Sequence, residues 1–179
     1  LRKVLENLMT PDQAQMVAAL PGTAEDVAQS TGFGAEAIQQ ELDGLFFKGV
    51  VFPRGDFEHR EFFRFARGTM QLHDATQATQ ERDVVRDKEF YELWHDFCIN
   101  EWYVDIGKAQ SSTRVAGTRI VPAYQSIKDL PDMQPYEDFR ELMKAQELIA
   151  IVPCACRYRT AAVGEPCDCF DEEEGWACL

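Results

Sequence analysis

The cysteines of this chain are concentrated at its carboxyl end. Five of the six lie within the last 26 residues, in the order Cys154-x-Cys156, Cys167-x-Cys169 and Cys178. Thiolates are soft ligands that suit zinc and iron–sulfur clusters. Clustered cysteines without a secretion signal indicate metal ligands rather than disulfides. We therefore expect the preceding residues to form a platform that presents a cysteine-bound metal centre.

The spacing of these cysteines leaves the metal open. A four-iron cluster and a four-cysteine zinc site each need four thiolates, and five are available. The pairs are C-x-C, unlike the C-x2-C pairs of zinc ribbons and unlike the compact C-x2-C-x2-C-x3-C-P ferredoxin run. The alternative without a metal is two disulfides and one free thiol.

The composition is that of an acidic globular protein. Hydrophobic residues make up 45% of the chain, which is enough for a core, and the net charge is -13 with a pI of about 4.6. Such a surface repels phosphate backbones, so we expect no nucleic-acid partner. No apolar run approaches the roughly 20 residues of a membrane span. With no apolar segment after Leu1, we expect no membrane association and a cytoplasmic location.

The first 67 residues carry the signals of three helices and a hairpin. Thr10, Pro11 and Gln13 form a helix start with a capping box. Ile38, Leu42 and Leu45 fall on one face at helical spacing. The predicted elements are helices over 10–20, 23–30 and 35–48, the last ended by Gly49, and strands over 50–52 and 61–65.

The middle of the chain predicts mainly helix. Residues 66–83 look like a linker with a short helix around 70–79, and a long helix is expected over 84–106. Its buried side would be Phe90, Leu93, Trp94, Phe97, Cys98 and Trp102. His95 and Cys98 are three residues apart, but with no further ligand nearby in sequence we expect a surface imidazole and a packed thiol.

The last third predicts a small βαβ unit. After a loop over 107–116, the pattern favours a strand over 119–122, a helix over 136–146 and an apolar strand over 148–152. In the helix, Phe139, Leu142 and Met143 would face inward. The two strands would be parallel and the second buried. The metal-binding loop would then leave the carboxyl end of that buried strand.

The expected fold is therefore α+β, in three parts. Residues 1–67 would form a winged-helix-like domain, 68–110 a helical linker with the long helix, and 111–179 the small α/β unit with its cysteine-rich loop. The order of helices and hairpin, with Leu20–Thr23, Val27–Gly32 and Leu42–Val51, resembles winged-helix proteins. Many of these bind DNA through the third helix.

The charges of the third helix argue against DNA binding here. It carries Glu36, Glu41 and Asp43 against Lys48, whereas a recognition helix should present Lys or Arg to phosphates. The hairpin has Arg54, Arg60, Arg64 and Arg67, but acidic residues alternate with them. We expect a structural or protein-docking module.

A wider resemblance covers most of the chain, from about Leu8 to Leu179. Ile149–Arg157, followed by Cys167-Asp168 and Cys178-Leu179, resembles an anaerobe family of [4Fe-4S] ferredoxin-type proteins with an amino-terminal winged-helix region. Shorter stretches that match are Arg119–Pro122 and Pro135–Asp138. The resemblance implies a [4Fe-4S] cluster bound by Cys154, Cys156, Cys167 and Cys178, with Cys169 as the alternative fourth ligand.

The resemblance also implies a function. In that family a ferredoxin domain with two clusters follows, so this chain would be the amino-terminal part of a longer protein. The expected role is an electron-transfer protein or oxidoreductase subunit that docks a redox partner protein. No substrate-handling residues stand out, and we assign no catalytic residue. Arg157 and Arg159 would stabilise the charge of the cluster, or else be ordinary loop arginines facing the acidic run 171–174.

Two other functions remain open. One is a redox- or metal-responsive winged-helix transcriptional regulator, with the cluster as the sensor. The other is a structural zinc-binding interaction domain, in which zinc pins the carboxy-terminal loop.

Overall fold

The chain forms nine described helices and two small sheets. The computed structural model describes residues 1–55, 57–79, 82–112, 127–129, 138–166 and 177–178. Its helices are α1 (Arg2–Leu8), α2 (Pro11–Ala18), α3 (Ala24–Thr31), α4 (Ala35–Phe47), α5 (Thr69–Gln77), α6 (Lys88–Phe97), α7 (Tyr103–Ser112), α8 (Phe139–Lys144) and α9 (Ala155–Ala162). Its strands are β1 (Gly22–Thr23), β2 (Val51–Pro53), β3 (Phe62–Phe65), β4 (Val152–Pro153) and β5 (Ala177–Cys178). This confirms the expected α+β class.

The starts of α2 and α3 are fixed by capping boxes. The Thr10 hydroxyl accepts from the Gln13 amide at 3.2 Å, and the Gln13 side chain accepts from the Thr10 amide at 3.0 Å. Thr23 and Asp26 make the same reciprocal pair at α3. Each box satisfies two amides that a helix start otherwise leaves without partners.

The end of α4 is set by Gly49, as predicted. Its φ of +75° is in the left-handed region that favours glycine. The Gly49 amide donates to the carbonyl of Phe46 and the Val50 amide to that of Leu45, which together make a Schellman motif. A Cβ at Gly49 would clash with the backbone carbonyl of Ala75, so this turn also allows α5 to approach closely.

The larger sheet has the strand order β1-β3-β2 and is antiparallel throughout. Val51 pairs with Phe65 in the predicted hairpin, and Gly22 pairs with Phe63. The hairpin is confirmed, whereas neither β1 nor α1 was predicted. Phe63 is fully buried beneath the helices.

The core is one cluster of buried side chains. It runs from Val4 in α1, through Ile38, Leu42 and Leu45 of α4, to Ala162 in α9. The predicted long helix begins later than expected, at Lys88, and continues through a π-helical turn, Cys98–Trp102, into α7. Its predicted buried side is confirmed at Phe90, Trp94, Phe97 and Cys98, while Leu93 and Trp102 are half-buried against the core. Tyr91, which was not predicted, is fully buried as well.

Several predictions for the last third are wrong. The loop predicted from residue 107 is helical as far as Ser112, because α7 continues the helix after the π turn. Residues 148–152 are not a buried strand: among the residues that the structure describes, Val152 alone of this segment is paired, antiparallel to β5, and Leu148 is 88% exposed. Phe139 and Leu142 of α8 do not face inward but are exposed.

The remaining predictions for this part of the chain have different outcomes. The strand at 119–122 lies outside the described residues, and the predicted domain boundaries stay predictions. The segment after Cys154, predicted to be loop, is the helix α9. Within the described part of the chain, no helix is both long and apolar enough to cross a membrane.

Candidate metal centre

The pairing of β4 with β5 brings the two ends of the cysteine-rich segment together. Val152 lies opposite Cys178, and Pro153 lies opposite Ala177. Residues directly opposite each other in an antiparallel pair have Cα atoms about 4.5–5.5 Å apart. The backbone of Cys178 therefore lies on the strand next to Val152, and Val152 comes two residues before Cys154.

The first turn of α9 carries the C-x-C pair. Cys154 is the N-cap, with an extended backbone, and its carbonyl accepts from the Tyr158 amide at 3.1 Å. Cys156 follows within the first turn. The positive end of a helix dipole favours negative groups, thiolates among them. Cys156 is exposed as a residue, but desolvation of its thiol by neighbouring atoms nonetheless raises the thiol pKa, while the charge of Arg159 opposes that rise.

Arg159, one turn further along α9, is a buried cation. It is only 3% exposed. Its Nη2 donates to the Tyr103 hydroxyl at 3.0 Å, and its Nη1 lies 3.1 Å from Nε2 of His73. Burial disfavours its charge, but the bond to Tyr103 and the nearby Cys98 and Cys156 thiols raise its pKa overall. The guanidinium is therefore charged as well as fixed.

His73 has a defined protonation state because of its two neighbours. A guanidinium only donates hydrogen bonds, so Nε2 of His73 must accept from Arg159. Nδ1 then carries the proton and donates to Asp74 Oδ1 at 2.7 Å. Burial lowers the pKa of this imidazole and Arg159 adds to that effect, and together they outweigh the opposing effect of Asp74. His73 is thus a neutral acceptor.

The π-helical turn completes these surroundings. π turns are rare and often occur at functional sites. This one begins at Cys98, which is fully buried, and ends at Trp102, whose ring centroid lies 5.4 Å from that of His73. Tyr103 comes next and directs its hydroxyl to Arg159. Burial raises the pKa of the Cys98 thiol, against the effect of Arg159.

The sequence-predicted ligands are brought together only in part. Cys154 and Cys156 share the start of α9, and β5 brings the backbone of Cys178 to the same neighbourhood. Cys167 and Cys169 lie outside the described residues, and of Cys178 only the backbone is described. Within the described residues, no group of three or more His, Cys, Asp or Glu side chains is placed to hold a metal ion.

Cys98 and His73 are the residues whose setting the sequence did not predict. Cys98 is the packed thiol that was expected, but it also interacts electrostatically with Arg159 and Cys156. His73 lies 86 positions from Arg159 in sequence. Local spacing gives no sign of such a pair. The spacing of Ala155, Arg159 and Ala162 on one helical face was the available signal for α9.

No family model, curated protein or solved structure matches this chain. The chemistry of the described residues therefore carries the interpretation.

Proposed function

We propose that this chain binds a [4Fe-4S] cluster through Cys154, Cys156, Cys167 and Cys178 and acts as an electron-transfer protein or oxidoreductase subunit. Its partner would be a redox protein. The observation that carries the proposal is the β4–β5 register, in which the backbone of Cys178 lies opposite Val152, two residues before the C-x-C turn. Cysteines far apart in sequence can then act on one centre.

The surroundings of the C-x-C pair suit a group of negative charge. Four thiolates give an iron–sulfur cluster a net negative charge, and a helix start and a nearby cation both stabilise such a charge. Cys154 and Cys156 lie at the start of α9, and the charge of Arg159 acts on the Cys156 thiol against the effect of desolvation. The cluster would supply one-electron transfer, while the chain supplies the ligands and the charged surroundings that tune it.

We also propose that residues 1–67 form a winged helix that does not bind DNA. The order of α2, β1, α3, α4, β2 and β3 supports that fold. In its wing, Arg60 pairs with Asp43 of α4 at 2.7 Å and lies over the ring of Phe46. Because this arginine is engaged within the domain, it is poorly placed for a phosphate. A gel shift at moderate salt should show no retained DNA, and a clear shift would favour the regulator.

Anaerobic purification tests the cluster. We expect a brown protein with broad absorbance near ~400 nm and about four iron and four sulfide ions per chain. A colourless protein with one zinc ion per chain would favour the structural zinc site instead. Cys154→Ser and Cys156→Ser should each lose most of the iron, whereas Cys98→Ala, the matched control, should keep it.

The same assay identifies the fourth ligand. If Cys178 is the ligand, Cys178→Ser loses iron and Cys169→Ser retains it. The reverse result would assign Cys169. If neither change lowers the metal content, the proposed ligand set is wrong.

A further inference from the structure

Building on the cysteine centre proposed above, we propose that Arg159 is the buried counter-charge of that centre and that His73 is the residue that positions it. Arg159 follows Cys156 by three residues on α9. Side chains three apart on a helix are neighbours on one face, with Cβ atoms about 5–6 Å apart. The guanidinium acts electrostatically on the thiol of a proposed ligand, Cys156, and has almost no exposure to solvent.

The partners of Arg159 hold it without cancelling its charge. Buried arginines usually pair with carboxylates, which neutralise them. Here the described partners, His73 Nε2, the Tyr103 hydroxyl and the Cys98 thiol, are all neutral. The nearest carboxylate in this network, Asp74, lies beyond the imidazole and is 60% exposed, so water screens it. The positive charge therefore remains available to the thiolates.

One donor of this guanidinium is still without a partner. Arg159 Nε makes no hydrogen bond to any of the described residues, although it is buried. A buried donor left in this way is costly unless another group accepts from it. A thiolate or cluster sulfur beside Cys156 is an acceptor of the required charge.

The expected consequence is a higher reduction potential. Reduction adds an electron to a centre that is already negative, so a nearby cation stabilises the reduced form more than the oxidised form. Removing that cation must lower the potential. At an effective dielectric of about 20, a unit charge roughly 10 Å from the added electron changes the ratio of reduced to oxidised centre by on the order of tenfold. For a one-electron couple, tenfold corresponds to about 59 mV.

The test is a redox titration of the cluster-loaded full chain, with EPR as the readout. Arg159→Gln should shift the ratio about tenfold towards the oxidised form, and Arg159→Lys should restore most of it because the charge is kept. His73→Leu removes the hydrogen-bond acceptor of Arg159 and should shift the ratio towards the oxidised form, but by less than Arg159→Gln does. His73→Gln keeps an acceptor, so its shift should be smaller than that of His73→Leu. Arg157→Gln removes an equal charge from a half-buried position on the same helix, so its shift should be smaller.

Two results of the redox titration would overturn the proposal. One is a fully loaded Arg159→Gln protein with the wild-type potential. The other is a shift in Arg157→Gln as large as that in Arg159→Gln, which would make the effect one of net charge. A merely structural role would change thermal unfolding in Arg159→Lys and Arg159→Gln alike, without the difference in potential between them.

Cobalt(II) binding separates this proposal from the iron–sulfur assignment. If the wild-type protein is purified without iron, the iron–sulfur assignment is wrong. The cysteine thiolates can still be titrated with Co²⁺ alone, so the role of Arg159 can be tested separately. Arg159→Gln should then bind Co²⁺ on the order of tenfold more weakly than Arg159→Lys. Equal affinities of the two variants would contradict the counter-charge, as would a wild-type chain that binds neither metal.

Discussion

Ile38 in α4 and Ile151 just before β4 are the same residue in opposite surroundings. Ile38 is fully buried among the helices, whereas Ile151 is 71% exposed. The difference extends to the regions around them. Through α6, helices and sheet bury one another's apolar faces in a single core. Of the described residues 138–166, only Ala155, Arg159 and Ala162 are buried, and one of these is a cation.

The comparison indicates that the two regions are stabilised by different means. Burial of apolar area stabilises the first. In the second, β4 and β5 are two residues long, and a two-stranded pair of this size is not stable by itself in water. Its order must come from α9 packed on α5 and α6, from the Arg159 network and, in our proposal, from the metal centre.

Substituting the two isoleucines should give the largest contrast. Ile38→Ala removes a core side chain and should lower the free energy of unfolding by about 2–5 kcal/mol. Ile151→Ala should change it by less than about 0.5 kcal/mol, because the side chain is already in water. Urea unfolding of both variants measures this. A cost for Ile151→Ala above about 2 kcal/mol would show that something covers the 148–152 segment.

Gly49 offers a smaller test of the amino-terminal region. Gly49→Ala should cost about 1–3 kcal/mol for the left-handed backbone, and more because the new methyl would meet Ala75. Gly44→Ala is the matched control within α4, where nothing lies near a new Cβ, and it should stabilise by up to about 1 kcal/mol. Thermal unfolding compares the two. Equal effects would contradict the close approach of α5.

His73 links the two regions and should make stability depend on pH. The unfolded chain takes up a proton at His73 near pH 6.5, whereas the buried imidazole takes it up only at lower pH. Its contribution is therefore complete above about pH 6.5 and is lost as the pH falls below that value. The slope is at most about 1.4 kcal/mol per pH unit for one proton.

The variant His73→Gln removes this proton and keeps a hydrogen-bond acceptor. Urea unfolding of metal-free protein at about pH 7 and about pH 5 should show a larger acid loss in wild type than in the variant. Identical losses in both proteins would mean that His73 is not held neutral in the folded state.

The amino-terminal region was predictable because its signals are local. Thr10 with Gln13 marks a helix start, Gly49 marks a helix end, and Ile38 with Leu42 marks a buried face within a few residues. β1 was not predicted because a strand of two residues is too short to show the alternation of apolar and polar side chains. In the other region, the apolar run 148–152 indicated burial, but such a run does not say whether anything covers it.

The candidate site was predictable only as a set of cysteines. Their clustering identified Cys154 and Cys156, and the arginine beside them was expected to matter. The residues that hold this arginine could not be predicted. They are His73 and Tyr103, which lie on other helices, 86 and 56 positions away in sequence. Contacts of that range depend on how α9 packs against α5 and the π turn, and no local pattern encodes this.

Hydrogen exchange before and after metal removal tests the difference between the two regions most directly. The anaerobically purified chain would be compared with the same chain after chelation, peptide by peptide. We predict that exchange increases in peptides covering 150–166 and 177–178, and to a lesser extent around His73 and Tyr103, while α2, α3 and α4 keep their protection. Unchanged exchange in 150–166 after the metal is removed would contradict a metal-stabilised carboxy-terminal region.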